Sequence, residues 1–283
     1  MDELGHLGWV AKHSFELDGR LFGIRTDSKD FSRWLAKNLP ATVVRDEEAN
    51  ANYSVVVGRA EGTVGKRFHI LYRGATAIAR TLDAVELIDA LLADIDSVRY
   101  WKRRDAVYLE ASLLSADEVT GLFPEELLGI FGSIKRHART IGLRFPSSRF
   151  VSLDPETADA VPDRRTLEVS DEAIAELAAT IGSETTDWPR TAVERPMSID
   201  VVCIKGHGGP DGVRTTSRGW ALYVLAGLAA NLSELGEAGL ETLRRLVARA
   251  NCFEIGSDDN RLMADSASAV LRRFADERAQ AIA

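Results

Sequence analysis

Hydrophobic and polar positions alternate through the first part of the chain in a pattern that predicts short strands and amphipathic helices. In the stretch HSFELDGRLFGIRT, Asp18-Gly19 separates two alternating runs, which is a strong hairpin signal. Residues 27–30 then offer side-chain caps for a helix that continues to about Leu39 and is stopped by Pro40. Apolar residues on that helix are spaced as one face, so we expect it to pack on the sheet.

A second hairpin and a longer helix are predicted next. Residues 53–57 and 68–72 have the pattern of paired strands, and residues 82–98 place apolar side chains at helical spacing. The helix ends in the basic stretch VRYWKRRD. We place a domain boundary there: residues 1–100 form an N-terminal α+β domain of hairpins and helices, and residues 101–283 form a second, α/β domain with a helical C-terminus.

Residues 105–155 predict the order strand, loop, helix, strand, in the segments DAVYLEASLL, SADEVTGLFPE, ELLGIFGSIKRHARTIG and SSRFVSLDP. A nucleotide-binding α/β unit begins in this order. Its phosphate loop needs a Gly-rich turn that ends in Gly-Lys-Ser/Thr, so that backbone N–H groups and one lysine surround the phosphates. Here the turn reads Phe123-Pro124-Glu125-Glu126, and two carboxylates repel phosphate. The pattern therefore predicts a kinase-like frame without kinase chemistry.

Strand-like and helix-like segments continue to alternate through the rest of the chain. The pattern predicts two strands, SIDVVCI at 198–204 and FEIGS at 253–257, and four helices, at about 171–181, 217–232, 237–250 and 264–278. The predicted fold class is therefore α/β (α+β).

Composition narrows the function classes. The 283 residues are 45% hydrophobic, which supports a sizeable core, and the net charge of -8 disfavours nucleic acid as a partner. The sequence contains no apolar run of about 18 residues, so it predicts no membrane span. Its start lacks a basic stretch followed by an apolar run, so it predicts no signal peptide, and we expect a cytoplasmic protein. Cys203 and Cys252 lie in apolar contexts typical of buried thiols, and the scattered histidines indicate no metal site.

One stretch imitates a phosphate loop. YSVVVGRAEGTVGKR has Gly65-Lys66, but Ala60 and Arg67 stand where Gly and Ser or Thr are needed. The apolar run FHILYRG follows in place of a helix, so no helix N-terminus is available for phosphate. We interpret the stretch as a hairpin turn.

Two basic clusters are candidates for binding a peptide or another anion. Lys135, Arg136 and Arg139 share one face of the predicted helix, where they either form a solvated helix end or bind an anionic ligand or acidic peptide. Around the aromatic ring of Trp101, the cations Arg99, Lys102, Arg103 and Arg104 can extend the same surface.

Three acidic or histidine-containing loops are weaker candidates. In KGHGGPDGVR, His207 is a possible acid or base with Asp211 as its partner, although Gly-Pro-Asp-Gly is also ordinary turn chemistry. Asp154 and Asp258-Asp259 are candidates to hold a metal ion or to act as a base. The alternative interpretation is that they begin turns.

The second half of the chain resembles the HPr kinase-related proteins. The resemblance rests on Glu110-Ala111-Ser112 in the first strand, on the Leu153–Thr157 turn LDPET, and on the order of elements between them. It covers roughly residues 105–275 and implies a phosphoenolpyruvate-carboxykinase-type nucleotide fold. The phosphate-loop position holds PEELLGIFGS, and Ser147-Ser148 occupy the position of the family's paired acids, so no catalytic residue carries over.

The resemblance also implies a biological context. Related proteins, active and degenerate, occur in bacterial gene clusters that modify ribosomally made peptides. We therefore expect a non-catalytic peptide-recognition or scaffold protein without a cofactor, whose partners are the precursor peptide or the modifying enzymes in a hetero-complex. A leader peptide commonly adds a strand to a sheet edge beside a helix groove, which the N-terminal hairpins and the helix at 82–98 can offer. The alternatives are an ATP-dependent phosphotransferase with an altered phosphate loop, and a purely structural subunit.

Overall fold

Two mixed β-sheets and their helices make up the fold, which is of the predicted α+β class. The computed structural model describes residues 8–40, 51–58, 68–116, 118–124, 144–147, 150–161, 167, 169–183, 195–206, 212–256 and 260–282. The chain divides into two compact units. The first contains Met1–Arg99 and Arg165–Asp187, and the second contains Tyr100–Arg164 and Trp188–Ala283.

The first unit is built on a five-stranded sheet in the order β1-β2-β3-β4-β5. Neighbouring strands are antiparallel, except that β2 and β3 are parallel. Its elements are β1 (Ala11–Leu17), β2 (Arg20–Thr26), α1 (Lys29–Asn38), β3 (Ala51–Val56), β4 (His69–Arg73), β5 (Thr76–Thr81), α2 (Ala84–Tyr100, whose last residue belongs to the second unit) and α3 (Asp171–Ile181).

Local signals set the first turn and the first helix where the sequence predicted them. Asp18 and Gly19 both have positive φ, of 50° and 71°, as the tight hairpin between β1 and β2 requires. The Ser28 hydroxyl accepts a 3.2 Å hydrogen bond from the Phe31 N–H and caps α1. Helix α1 buries Phe31 and Trp34, and its contacts with β1 and β2 place it on the sheet.

The β3–β4 hairpin and α2 are also confirmed, but β5 was missed. This strand follows a tight turn at Gly74, whose φ is 58°. It is an edge strand with largely exposed residues, so its sequence lacks the apolar alternation that reveals a half-buried strand. Most of helix α2 is buried, including the charged side chains of Asp89, Asp96 and Arg99, and its remaining residues are half-buried.

Helix α3 packs with the first unit, although the sequence assigned its residues to the domain 101–283. The Lys37 ammonium lies 2.7 Å from a Glu176 carboxylate oxygen on α3. Just after the helix, the Ser183 hydroxyl accepts the Ala84 N–H at 2.8 Å and so caps the start of α2. Contacts between residues about 100 positions apart therefore decide where this segment belongs.

The second unit contains a sheet in the order β10-β9-β6-β7-β11-β13-β12, with β8 paired to β6. Strands β7, β11 and β13 run parallel, and the other pairs are antiparallel. Its elements are β6 (Val107–Ala116), β7 (Val119–Pro124), β8 (Arg144–Ser147), β9 (Phe150–Leu153), β10 (Ala160–Val161), β11 (Val201–Lys205), β12 (Gly212–Thr215), α4 (Arg218–Leu228), α5 (Leu232–Leu235), α6 (Glu237–Arg249), β13 (Asn251–Gly256) and α7 (Asn260–Ile282).

Two segments of this unit that were expected to be loops contain strands. The segment SADEVTGLFPE, expected to be a loop, contains strand β7, whose six residues are all buried. A strand covered on both faces has no polar alternation, and this run is too short to stand out from a loop. Residues 212–214 of the expected loop KGHGGPDGVR lie in the edge strand β12, which pairs with β13.

Helices cover both faces of this sheet. Helices α4 and α6 pack on the face that contains Val202 and Cys252, and α7 packs on the face that contains Cys203 and Ile255. Both cysteines are free and buried, as predicted, and burial raises the pKa of each thiol. Within the described part of the chain, no helix combines the length and hydrophobicity needed to cross a membrane.

Candidate functional site

Four of the eight predicted binding residues come together in the turn that follows α2. Trp101 and Lys102 are exposed, Arg104 is exposed, and Arg103 is half-buried. We call these four residues the Trp101 surface. The other four, Lys135, Arg136, Arg139 and His207, lie outside the described residues, as do the stretch 59–67 and the pair Asp258-Asp259.

Trp101 is the most prominent member of this surface. Its side chain is 56% exposed, although tryptophan is on average a well-buried residue. Arg104, with its side chain 72% exposed, pairs with Glu234 of α5 at 3.1 Å. A surface ion pair of this kind is weak, so Arg104 can exchange its partner for another carboxylate.

Arg103 is held within the protein and does not face an outside ligand freely. Its guanidinium donates to both carboxylate oxygens of Asp105, at 3.0 and 2.5 Å, and lies 5.1 Å from the ring centre of Tyr108. Partial burial alone would raise the pKa of Asp105, but the Arg103 hydrogen bonds hold it below its usual value. Arg103 therefore shapes the turn more than it offers a free charge.

Beneath the surface lies a small aromatic frame. Tyr100 and Tyr108 are each 1% exposed, and their rings stack at 4.0 Å between centres with an interplanar angle of 7°. Phe150 of β9 meets Tyr100 edge-on at 5.2 Å. Because Tyr100 directly precedes Trp101, this frame fixes the backbone from which the exposed indole projects.

Asn231 is the residue that sequence reasoning missed. Its fully buried amide accepts the Tyr108 N–H at 3.1 Å and donates to the carbonyl oxygens of Arg103 and Ala106 at 2.8 and 2.7 Å. The sequence predicted one continuous helix over 217–232, whereas α4 ends at Leu228 and Asn231 lies between helices. The available signal was asparagine itself, a poor helix former that favours caps and turns.

Asp154 makes local turn contacts. Its Oδ1 accepts the N–H groups of Thr157 and Glu156 at 2.8 and 2.9 Å, and these bonds lower the pKa of the carboxyl group. This geometry favours the turn interpretation over a catalytic one. Among the described residues, no three His, Cys, Asp or Glu side chains gather as a metal site would require.

The parallel strands β7, β11 and β13 end at Pro124, Lys205 and Gly256, along one edge of the sheet. In open α/β sheets this carboxyl edge is the usual place for a nucleotide. The segment in which a phosphate loop is expected, from residue 125 onwards, lies outside the described residues.

Comparisons of the whole chain with known protein families and with curated proteins find no match.

Proposed function

We propose that this protein is a non-catalytic recognition or scaffold protein that works in the cytoplasm without a cofactor. On this proposal it is a degenerate relative of the HPr kinase-related proteins, and it binds a ribosomally made precursor peptide or the enzymes that modify it. The observation that carries the proposal is the exposed Trp101 beside Lys102 and Arg104. Tryptophan and arginine are enriched among the residues that dominate binding energy at protein interfaces.

The Trp101 surface favours an acidic peptide with an apolar residue next to its carboxylates. The indole of Trp101 supplies a flat apolar contact, while Lys102 and Arg104 supply positive charge at its sides. The stacked rings of Tyr100 and Tyr108 fix the backbone next to Trp101 before binding, which reduces the backbone entropy lost on association.

A sheet edge gives independent support for peptide binding. Among the described residues, β5 pairs only with β4, and its outer edge carries a single charge, Arg80. An edge strand with a single charged side chain is weakly protected against pairing and can accept an extended peptide as an additional strand. The expected groove along α2 has no fully exposed helix face beside it, because the residues of that helix are buried or half-buried.

The proposal is tested by binding of a fluorescently labelled acidic peptide that carries an apolar residue next to its carboxylates. We expect Trp101→Ala to weaken binding by at least about tenfold, as the loss of a dominant interface residue does. Tyr223→Ala is the matched control, because Tyr223 is an aromatic residue 71% exposed elsewhere in the same unit. Equal affinity of Trp101→Ala and the unaltered protein would contradict the proposal. Hydrogen exchange then tests whether the peptide pairs with the outer edge of β5. Peptide-induced protection confined to residues 105–283 would exclude β5 as the binding edge.

The parallel strands that share a carboxyl edge favour a second candidate, a phosphotransferase with an altered phosphate loop. It predicts thermal stabilisation by ATP and Mg²⁺, of roughly 2.7 kcal/mol at about 100 times the Kd. We expect ATP, ADP and GTP at millimolar concentration to leave the melting temperature unchanged, which would eliminate this candidate.

A further inference from the structure

A cleft of about 390 Å³ opens in the second unit where β7, β11 and β13 begin. It therefore lies at the amino ends of the parallel strands, away from the carboxyl edge at which α/β proteins usually bind nucleotides. Its apolar side is presented mainly by the partly buried ring of Phe274 from α7, above a floor of Val119 and Ile199, which are 2% and 1% exposed.

Two of the four charged residues that line the cleft are occupied by the protein itself. The Arg249 guanidinium donates to the carbonyl oxygens of Thr157 and Ala158 at 2.6 and 2.7 Å, and it lies 2.6 Å from an Asp159 carboxylate oxygen. Glu277 is paired with Arg273, one turn earlier on α7, at 2.8 Å. These charges are neutralised in place and form walls of the cleft.

The other two, Asp200 and Arg278, face each other loosely. Asp200 is anchored just before β11, since its Oδ2 accepts the Thr120 N–H at 3.0 Å. Its Oδ1 lies 3.5 Å from Arg278 Nη1, which is long for a charge-assisted hydrogen bond. The side chains of Asp200 and Arg278 are 28% and 52% exposed, so both ions remain accessible from the cleft. The exposed side chains of Ser198 and Asn251 add neutral polar groups at the rim.

From this arrangement we propose that the cleft binds a free α-amino acid with a bulky apolar side chain. The ligand carboxylate pairs with the Arg278 guanidinium, and its ammonium group pairs with Asp200 Oδ1. The apolar side chain lies against Val119, Ile199 and Phe274. A zwitterion satisfies both members of the loose pair, whereas a ligand with one charge leaves one of them facing a like charge or no partner.

The size of the cleft agrees with this ligand class. A volume of about 390 Å³ is near the lower end of the range for small-molecule sites, which begins at about 300 Å³. Such a volume suits one amino acid with its ordered water and is small for a nucleotide with three phosphates. The site is independent of the Trp101 surface and of the proposed peptide recognition.

Isothermal titration of the full chain tests the inference with L-phenylalanine, L-leucine, glycine, 3-phenylpropanoate and 2-phenylethylamine. We expect saturable binding of phenylalanine or leucine. The two phenyl compounds that carry one charge should bind at least about tenfold more weakly than phenylalanine, because each loses a charge-assisted hydrogen bond. Glycine, which has no side chain to fill the apolar side, should be weaker than both larger amino acids.

Arg278→Gln should weaken phenylalanine or leucine binding by at least about tenfold. Arg244→Gln is the control, because Arg244 is also an exposed arginine paired with a carboxylate on its surface, but it lies on α6 and does not line the cleft. Absence of saturation at about 10 mM phenylalanine and leucine would overturn the inference. So would equal binding of 3-phenylpropanoate and phenylalanine, or unchanged affinity in Arg278→Gln.

Discussion

The indole Nε1 of Trp34 on α1 donates a 2.7 Å hydrogen bond to the carbonyl oxygen of Ala173 on α3, 139 residues later in the chain. Trp34 is 5% exposed, and the bond is partly buried within the first unit. It ties the late segment Arg165–Asp187 to the N-terminal sheet and helices. The first unit is therefore discontinuous in sequence, and its stability depends on residues from both ends of the interruption.

Trp34→Phe should lower the free energy of unfolding by about 1–3 kcal/mol, because the Ala173 carbonyl oxygen loses its side-chain partner and a smaller ring leaves a gap. Urea denaturation followed by circular dichroism measures the change. Trp101→Phe is the matched control: its indole is exposed, so we expect an effect within about 0.5 kcal/mol. Equal effects of the two substitutions would show that the Trp34 hydrogen bond contributes nothing.

Asn231→Ala should be among the most damaging single changes in the second unit. It leaves the Tyr108 N–H and the carbonyl oxygens of Arg103 and Ala106 without their partners in a buried place, a loss of about 2–4 kcal/mol. Asn231→Asp should also destabilise the protein, because one carboxylate oxygen keeps the acceptor role while the other replaces the donor and faces two carbonyl oxygens. Thermal denaturation compares both with Asn251→Ala, an exposed asparagine that should have little effect on the melting temperature. A stable Asn231→Ala protein would contradict the structural role assigned here.

Gly121→Ala should destabilise the second unit although the change adds one methyl group. A Cβ at this position of β7 would lie 2.6 Å from a ring carbon of Phe123 and 2.9 Å from a methyl carbon of Leu271 on α7. Both side chains are fully buried and have little room to move, so we expect a loss of about 1–3 kcal/mol. Gly219→Ala is the control, since a Cβ on that helical glycine meets nothing within 4 Å and alanine is the better helix former. In urea denaturation we expect Gly121→Ala to lower the free energy of unfolding and Gly219→Ala to raise it.

Stability should fall as the pH is lowered below the ordinary histidine pKa of about 6.5. Burial lowers the pKa of His13 and of His69 in the folded protein, so the unfolded chain binds protons more readily at these positions. The contribution of the neutral rings is therefore complete above about pH 6.5 and is lost progressively as the pH falls toward the folded-state pKa values. In addition, His69 Nδ1 accepts the Gly58 N–H at 3.2 Å, a bond that protonation of Nδ1 removes.

Urea midpoints measured between pH 8 and pH 5.5 test this prediction. His69→Asn should reduce the pH dependence, because asparagine does not titrate in this range. His13→Asn should reduce it separately, since the two histidines bond to different backbone groups. If the double variant kept the full pH dependence of the unaltered protein, the assignment to these histidines would be wrong.

Signals that act within a few residues could be predicted well. The Asp18-Gly19 turn follows from the positive φ angles that both residues tolerate. Ser28 and Ser170 each cap a helix by accepting an N–H three residues later, and both helices begin where the sequence placed them. The apolar positions of α2 were also evident from helical spacing, whereas the burial of Asp89, Asp96 and Arg99 was not.

Elements whose character depends on distant neighbours were missed. Strand β7 is apolar on both faces because helices cover both sides of its sheet, and β5 is recognisable mainly by its pairing with β4. The candidate site shows the same division. The residues of the Trp101 surface are contiguous in the sequence, so they could be proposed from it. Asn231, whose amide bonds to the backbone of Arg103 and Tyr108, is more than 120 residues away.

The sequence by itself determined the turns, the helix caps, the apolar faces and the α+β class, because each depends on residue types at short spacing. Only the tertiary structure decided that α3 belongs to the first unit, which basic residues are already paired, and that Asp200 and Arg278 meet in one cleft. The physical reason is that pairing, burial and cavity formation join residues far apart in the chain, and local patterning does not specify which distant groups meet.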